Sequence, residues 1–329
     1  MKTLYRYGLR VVVSFGLIAV LLIVTDGANA VSRLVGSDWR WLAACFGFLT
    51  IQTVLMAIRW KITAAPLGLS IRLPWAIREY YLAQLINQTV PGGVVGDAAR
   101  AVRARHRADL ASAAMSVMIE RLAGQTAIFT IGLIGFLMAL VWPGGISWPG
   151  WVWQIVLFST AGLIVTGGLL WKLRNMRPLR PVRALTTAME KALETRRMRY
   201  GQAVLSLTIA SLNLAAFYAC AQATGTTLSV EAIFTLIPLI LSAMLIPASV
   251  GGWGWREGAA AALFPLAGAT GSAGIAAGMA YGIVMLAASL PGLIWMLTAI
   301  QGGHGPRTAL GQVFKRRMNL QTQPTTKWR

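Results

Sequence analysis

Charge is what this sequence has least of. Of its 329 residues only 12% are Asp, Glu, Lys or Arg, while 56% are hydrophobic; a soluble domain carries about 25% charged residues. The stretches Val11 to Val24, Ala127 to Val141, Val152 to Trp171, Gly201 to Ala223 and Ala273 to Ile300 contain no charge at all. Runs on this scale exclude an ordinary water-soluble core and approach the roughly 20 apolar residues that cross a bilayer. Cysteine is nearly absent. Cys45 and Cys220 both sit within apolar segments, which excludes a disulfide framework and a zinc site. The only histidines, His106 and His304, lie in basic connections, so a His-based metal or catalytic centre is not expected. There is no Walker-type phosphate loop and no nucleophile elbow. The chain therefore reads as a non-enzyme, with no catalytic residue, metal or cofactor.

Acid is scarcer than base: 10 Asp plus Glu against 30 Lys plus Arg, net +20. In a soluble protein this balance suggests nucleic acid. Here all the basic residues but Arg33, Arg40, Arg121 and Arg256 fall in five stretches, 1–10, 59–79, 91–110, 172–199 and 301–329. That is the positive-inside pattern of a membrane protein, and it places both termini in the cytoplasm. The connections 25–40, 142–151 and 224–231 are balanced, uncharged or acidic and read as external. Lys2, Arg6 and Arg10 before the first apolar run, with Ala28-Asn29-Ala30 after it, resemble a cleavable signal peptide. The topology, however, requires this segment to be retained.

Walking the chain with these constraints gives helix 1 (about 8–25) outward, helix 2 (about 40–58) inward, and a re-entrant hairpin over 74–100 that turns near Pro91-Gly92-Gly93. Helix 3 (110–141), helix 4 (152–171) and helix 5 (200–223) follow. A second re-entrant hairpin over 229–268 turns near Pro247 to Gly254, and a last helix (272–300) returns the basic tail to the cytoplasm. A count with two full spans in place of each hairpin also satisfies the charge pattern. The fold class is thus all-α, a polytopic bundle in a single membrane domain over 1–329. Residues 172–199 form a basic cytoplasmic loop and 301–329 a basic tail, both suited to an anionic leaflet.

The two turns resemble each other. Val90 to Arg100 and Ile246 to Arg256 align without gaps, sharing Pro91 with Pro247, Val94 with Val250, Gly96 with Gly252 and Arg100 with Arg256. Each Arg has a carboxylate nearby, Asp97 or Glu257. Residues 1–141 and 152–300 then carry the same order of elements in opposite orientation, an inverted-topology repeat. In transporters of that plan, broken segments at matching positions point to a binding site near the midplane.

Chemistry concentrates at these turns. Gly92, Gly93, Gly96, Gly251 and Gly252 would allow backbone N–H groups to approach a ligand, and a following helix N-terminus favours an anion. Arg100 and Arg256 offer planar forks suited to phosphate, and the two turns, converging from opposite faces, would make one phosphate-sized positive site. Asn87, with Gln84 and Gln88, suits a headgroup path and equally suits helix–helix hydrogen bonds. Glu120 and Arg121 interrupt helix 3 at membrane depth, where ionisable residues are functional or mutually paired. Being adjacent, they point about 100° apart, so each needs another partner: Arg121 with Asp97 or Glu257, Glu120 with Arg256 or Arg100. Asp97, Glu120, Arg121 and Glu257 are the candidate gating and charge-balancing network. The same residues also suit a purely structural ion-pair network.

Tyr80-Tyr81, Asn87-Gln88-Thr89-Val90-Pro91-Gly92, Gly96-Asp97-Ala98-Ala99-Arg100, Ser116-Val117, Glu120-Arg121, Ile246-Pro247 and Gly251-Gly252-Trp253-Gly254-Trp255-Arg256-Glu257 together resemble the lysylphosphatidylglycerol synthase transmembrane region, or flippase-like domain, family. The resemblance covers nearly the whole chain. It implies a bacterial cytoplasmic (inner) membrane protein that moves lipid between leaflets, as a stand-alone member without the soluble synthase domain. The expected function is a flippase- or scramblase-like transporter for an anionic lipid, a phospholipid or a polyprenyl-phosphate-linked one. The alternatives are a scaffold that docks a lipid- or glycan-synthesis enzyme and, further off, an intramembrane lipid-modifying enzyme. Expected partners are membrane lipids and such an enzyme, not nucleic acid; a homo-oligomer is left open.

Overall fold

A computed structural model describes residues 16–90, 93–105, 109–141, 180–246 and 249–301, with isolated positions at 12, 146, 148–150 and along 154–172. The predicted helix 4, the turn residues Pro91, Gly92 and Pro247, His106 and the tail beyond 301 lie outside the described residues. All the described elements are helices: α1 (Gly16–Val24), α2 (Gly27–Val35), α3 (Trp39–Ala64), α4 (Leu73–Thr89), α5 (Val95–Ala104), α6 (Leu110–Val141), α7 (Arg180–Ala192), α8 (Arg196–Ala223), α9 (Val230–Ala243), α10 (Trp255–Leu263), α11 (Gly271–Ser289) and α12 (Pro291–Gln301). Short polar side chains start most of the long ones. Asp38 accepts from Arg40 N–H, Thr195 from Met198 N–H, Ser229 from Ala232 N–H and Thr270 from Ala273 N–H, so donors that the helix itself leaves unpaired are satisfied.

Four helical stretches are long and apolar enough to cross a membrane: Trp39–Leu67, Leu110–Val141, Arg196–Ala223 and Gly271–Leu297; α1 and α2 together would make a fifth if counted as one bent span. Large apolar side chains along α6, including Phe129, Leu133, Leu137 and Leu140, point outward and are exposed. Such a surface would be an aggregation hazard in water and is the expected one against lipid.

α3 and α8 pack along each other at the centre. α6 and α9 close one side, and α4 with α11 and α12 closes the other. Two close approaches depend on glycine. A Cβ on Gly135 of α6 would lie 2.5 Å from the Phe234 carbonyl of α9, and one on Gly292 of α12 would lie 2.4 Å from the Tyr81 carbonyl of α4. In membranes, where apolar contact gains little, such small-residue contacts let backbones meet.

The structure departs from the expected elements in three places. α1 ends at Val24, where helix 1 was expected to end, but the chain then bends by 106° into a further helix, α2. There Asp26 caps α2 through Asn29 N–H, and Gly27 lies so close that a Cβ would strike the Leu22 carbonyl at 2.3 Å. The expected external connection is thus largely helical, with Ala30 buried and Arg33 donating to the Thr224 carbonyl at the end of α8. Helix 2 continues beyond 58 to Ala64 and a 3-10 turn over Ala65–Leu67. Arg59 looked like a flanking charge, but it is buried and paired, and so does not end the span. The last helix is divided at Leu290-Pro291, where proline supplies no N–H. Within the basic loop, α7 lays Ala188 and Ala192 against Ile119 of α6.

Candidate functional site

The first turn is built by Asn87. From the last turn of α4, its Oδ1 accepts the Gly96 N–H at 2.7 Å, while its Nδ2 donates to Asp97 at 2.9 Å. One amide thereby starts α5 and aims its first carboxylate. Gly96 must be glycine: a Cβ there would lie 2.1 Å from the Ala83 carbonyl. Gly93 takes φ +61°, and its carbonyl accepts from Arg121 at 3.1 Å.

Asp97 opens a network that crosses four helices. It accepts from Arg100 at 3.1 Å and pairs with Arg121. Glu120 is the centre: one oxygen accepts from Arg59 at 2.9 Å and the other from Arg100 at 2.9 Å. Arg59 also donates to Ser206 of α8 at 3.1 Å. The Arg100 guanidinium lies between two rings, 4.4 Å from the Trp60 centroid and 4.1 Å from that of Tyr80, an arrangement favourable for a desolvated cation. Trp60 is itself held by its indole N–H on Ser116 at 3.0 Å. Arg59, Arg100 and Glu120 are almost wholly buried; the Arg121 side chain is 37% exposed. Nearby, Arg103 pairs with the buried Glu79.

These groups line a cavity of about 220 Å³. Arg59, Arg100 and Arg121 reach it, with Gln52, Gln125 and Asn213 among its neutral polar neighbours. Three guanidiniums face two carboxylates, leaving one positive charge in surplus. Gln52 Oε1, Arg59 Nε and Arg100 Nη1 are buried and bond to no protein atom. On α6 the lining runs from Glu120 to Ile128, roughly 15–27 Å along the helix from Leu110 at 1.5 Å per residue. That is the middle part of a 32-residue helix.

The second turn has similar parts and a different outcome. Gly251, Gly252 and Gly254 all take positive φ. Glu257 accepts the Gly254 N–H at 2.7 Å and the Arg256 Nε–H at 3.1 Å. Arg256 lies 5.0 Å from the Trp253 centroid and 5.4 Å from that of Tyr281. Both charged residues are fully buried, and neither lines the cavity. The two turns touch: a Cβ on Gly251 would lie 3.1 Å from Gln88 Cα. Tyr281 OH donates to Asn213 at 2.6 Å, linking the second cluster to the cavity wall.

The structure thus brings Asn87, Asp97, Arg100, Glu120 and Arg121 together, and sets Arg256, Glu257, Gly251 and Gly252 in a closed neighbouring cluster. Gly92 lies outside the described residues. Of the pairings foreseen for Glu120 and Arg121, those with Arg100 and Asp97 are formed. Two readings change. Asn87 and Glu257 already occupy the Gly96 and Gly254 N–H groups, so these two donors are not free for a ligand. Arg100 and Arg256 do not face one common opening. Arg59 was missed as a site residue because a basic residue near a span's end looks like a cytoplasmic anchor; its signal was Glu120, an acid needing more than one cation. Among the described residues no group of three or more His, Cys, Asp or Glu is placed to hold a metal ion.

Spanning helices around a buried ionic cavity define a multi-pass helical membrane protein. The chain belongs to the family described as the lysylphosphatidylglycerol synthase TM region, whose pattern matches residues 9–292. That description ties the family to the membrane and to lipid. No curated protein matches the chain.

Proposed function

We propose that this protein is a flippase- or scramblase-like transporter that moves an anionic, phosphate-bearing lipid between leaflets, with no catalytic step of its own. The observation that carries the proposal is the mid-helix cavity with three guanidiniums to two carboxylates. Arg121 is its accessible cation and the first contact for a phosphate; Arg100 lies behind it, and Asp97 and Glu120 balance the charge when no ligand is present. Arg256 and Glu257 hold the second turn together, and Gly251 packs that turn against Gln88 of the first, so that movement of one turn is felt by the other.

The packing supports reading the chain as two inverted halves. α3 and α8, second in their halves, pair with each other. α6 meets α9 of the other half at Gly135, as the α11–α12 span meets α4 at Gly292. At 17, 10, 14 and 9 residues, α4, α5, α9 and α10 reach only about 25, 15, 21 and 14 Å. Each is shorter than the roughly 30 Å hydrocarbon layer, which favours re-entrant hairpins over full spans. Both termini then face the cytoplasm of a bacterial inner membrane.

The test is leaflet exchange in phosphatidylcholine vesicles doped with labelled phosphatidylglycerol, with and without a proton gradient. Wild type should speed exchange of the anionic lipid over the zwitterionic one, and Arg121→Gln should abolish the gain while remaining folded. Folded wild type that exchanges neither lipid under either condition overturns the proposal. The scaffold reading would then lead, because α7 turns Arg183 and Lys191 outward and could dock a lipid- or glycan-synthesis enzyme.

A further inference from the structure

A second hollow, of about 400 Å³, lies on the opposite face of α6. It is a groove between α6 and α8, closed at one end by α7. Ile119, Ala123, Thr126 and Thr130 of α6 form one wall, and Ala203 and Leu207 of α8 the other. From Ile119 to Thr130 the groove extends about 16 Å along the helix. Its walls are mainly apolar, and Leu122 and Leu207 at its edges are exposed on helices long enough to cross a bilayer.

Only a thin partition separates this groove from the ionic cavity. Arg59 lines the cavity and Ser206 lines the groove, and the two are joined by the 3.1 Å hydrogen bond. Beside them Gly124 lines the cavity and its neighbour Ala123 the groove. A Cβ on Gly124 would lie 3.2 Å from Arg59 Nη2. The helices therefore meet on small residues around one side-chain contact, and the buried Arg59 Nε beside it bonds to no protein atom.

We infer that the groove seats the alkyl chain of a lipid whose phosphate occupies the cavity, and that the Arg59–Ser206 contact is the portal between them. The phosphate half of this assignment rests on the proposed function. The chain half rests on the groove's composition, its bilayer-length walls and its adjacency to a cationic cavity. A phosphate that draws Arg59 toward the cavity would weaken its hold on Ser206, so headgroup binding and portal opening would be coupled.

The experiment uses the full chain in phosphatidylcholine vesicles containing phosphatidylglycerol with a photoactivatable diazirine on its acyl chain. Adducts should concentrate on residues 119–130 and 199–207. They should be competed by unlabelled phosphatidylglycerol but not by added phosphatidylcholine, and lost in Ala203→Trp or Thr126→Trp. Both positions are exposed toward the groove, so two independent fillings guard against one misfolding. Adducts spread evenly over the lipid-facing helices, or competed equally by both lipids, overturn the assignment. Competed groove adducts in a wild type that exchanges no lipid would leave the groove standing and remove the transport reading. Normal exchange with no groove adducts would do the reverse.

Discussion

The two glycine-rich turns differ more in structure than in sequence. Each sets a buried Arg between two aromatic rings and beside a carboxylate: Arg100 with Trp60, Tyr80 and Asp97, and Arg256 with Trp253, Tyr281 and Glu257. At the first turn the carboxylates are shared among Arg59, Arg100 and Arg121, and the cluster opens on a cavity with surplus positive charge. At the second, Glu257 is used up by Arg256 and its own helix start, and neither charged residue is exposed. A repeated motif can thus keep its packing role in both copies while only one is left with charge to offer a ligand.

The contrast is most severely broken at Glu120. Glu120→Gln leaves Arg59 and Arg100 sharing no carboxylate at the centre, and removing one partner of a buried pair costs about 3–5 kcal/mol. Unfolding in detergent should show a loss of that size; a loss under about 1 kcal/mol would mean the network is hydrated and weak. Gly282→Ala attacks the other cluster. Its Cβ would fall 2.2 Å from Arg256 Nη2 and 2.9 Å from the Trp253 ring, so overpacking should cost about 1–3 kcal/mol. Glycerol phosphate binding, measured by calorimetry, should survive if the second cluster is structural.

Arg121→Gln sharpens the comparison by separating stability from binding. Because the side chain is partly exposed, its stability should change by less than about 1 kcal/mol, yet glycerol phosphate binding should be lost. Equal binding by wild type and variant would remove Arg121 from the site. Tyr281→Phe tests the link between the clusters. Loss of its hydrogen bond to Asn213 should cost about 0.6 kcal/mol, the typical interhelical value in membrane proteins. Lipid exchange, if the turns move together, should slow more than that small cost suggests.

Much of the architecture was legible because a bilayer punishes exposed polar backbone and misplaced charge. α6 begins and ends where the uncharged runs and the Asp109 boundary place it, and α8 begins only a few residues before its predicted start. Glu120, Arg121 and Asp97 stood out for the same reason, since ionisable residues at membrane depth need partners. Arg59 did not stand out. One basic residue near the end of a span reads alike whether it snorkels to the surface or turns inward to a carboxylate. The bend before α2 was hidden because Asp26 and Gly27 look like loop residues as readily as a cap and a close turn.

By itself, then, the sequence determined that the chain is a multi-pass helical membrane protein, where several of its long apolar helices lie, and which charges would have to find partners there. Those conclusions follow from composition and spacing, because the cost of burying charge in hydrocarbon depends little on neighbours. Only the tertiary structure decided which partners were found: that Glu120 holds two arginines, that Glu257 is consumed by its own helix, and that the surplus charge opens at Arg121 rather than at Arg256. Those outcomes depend on how α3, α5, α6 and α8 cross, and distances between residues far apart in the chain are set by packing, which no local pattern records.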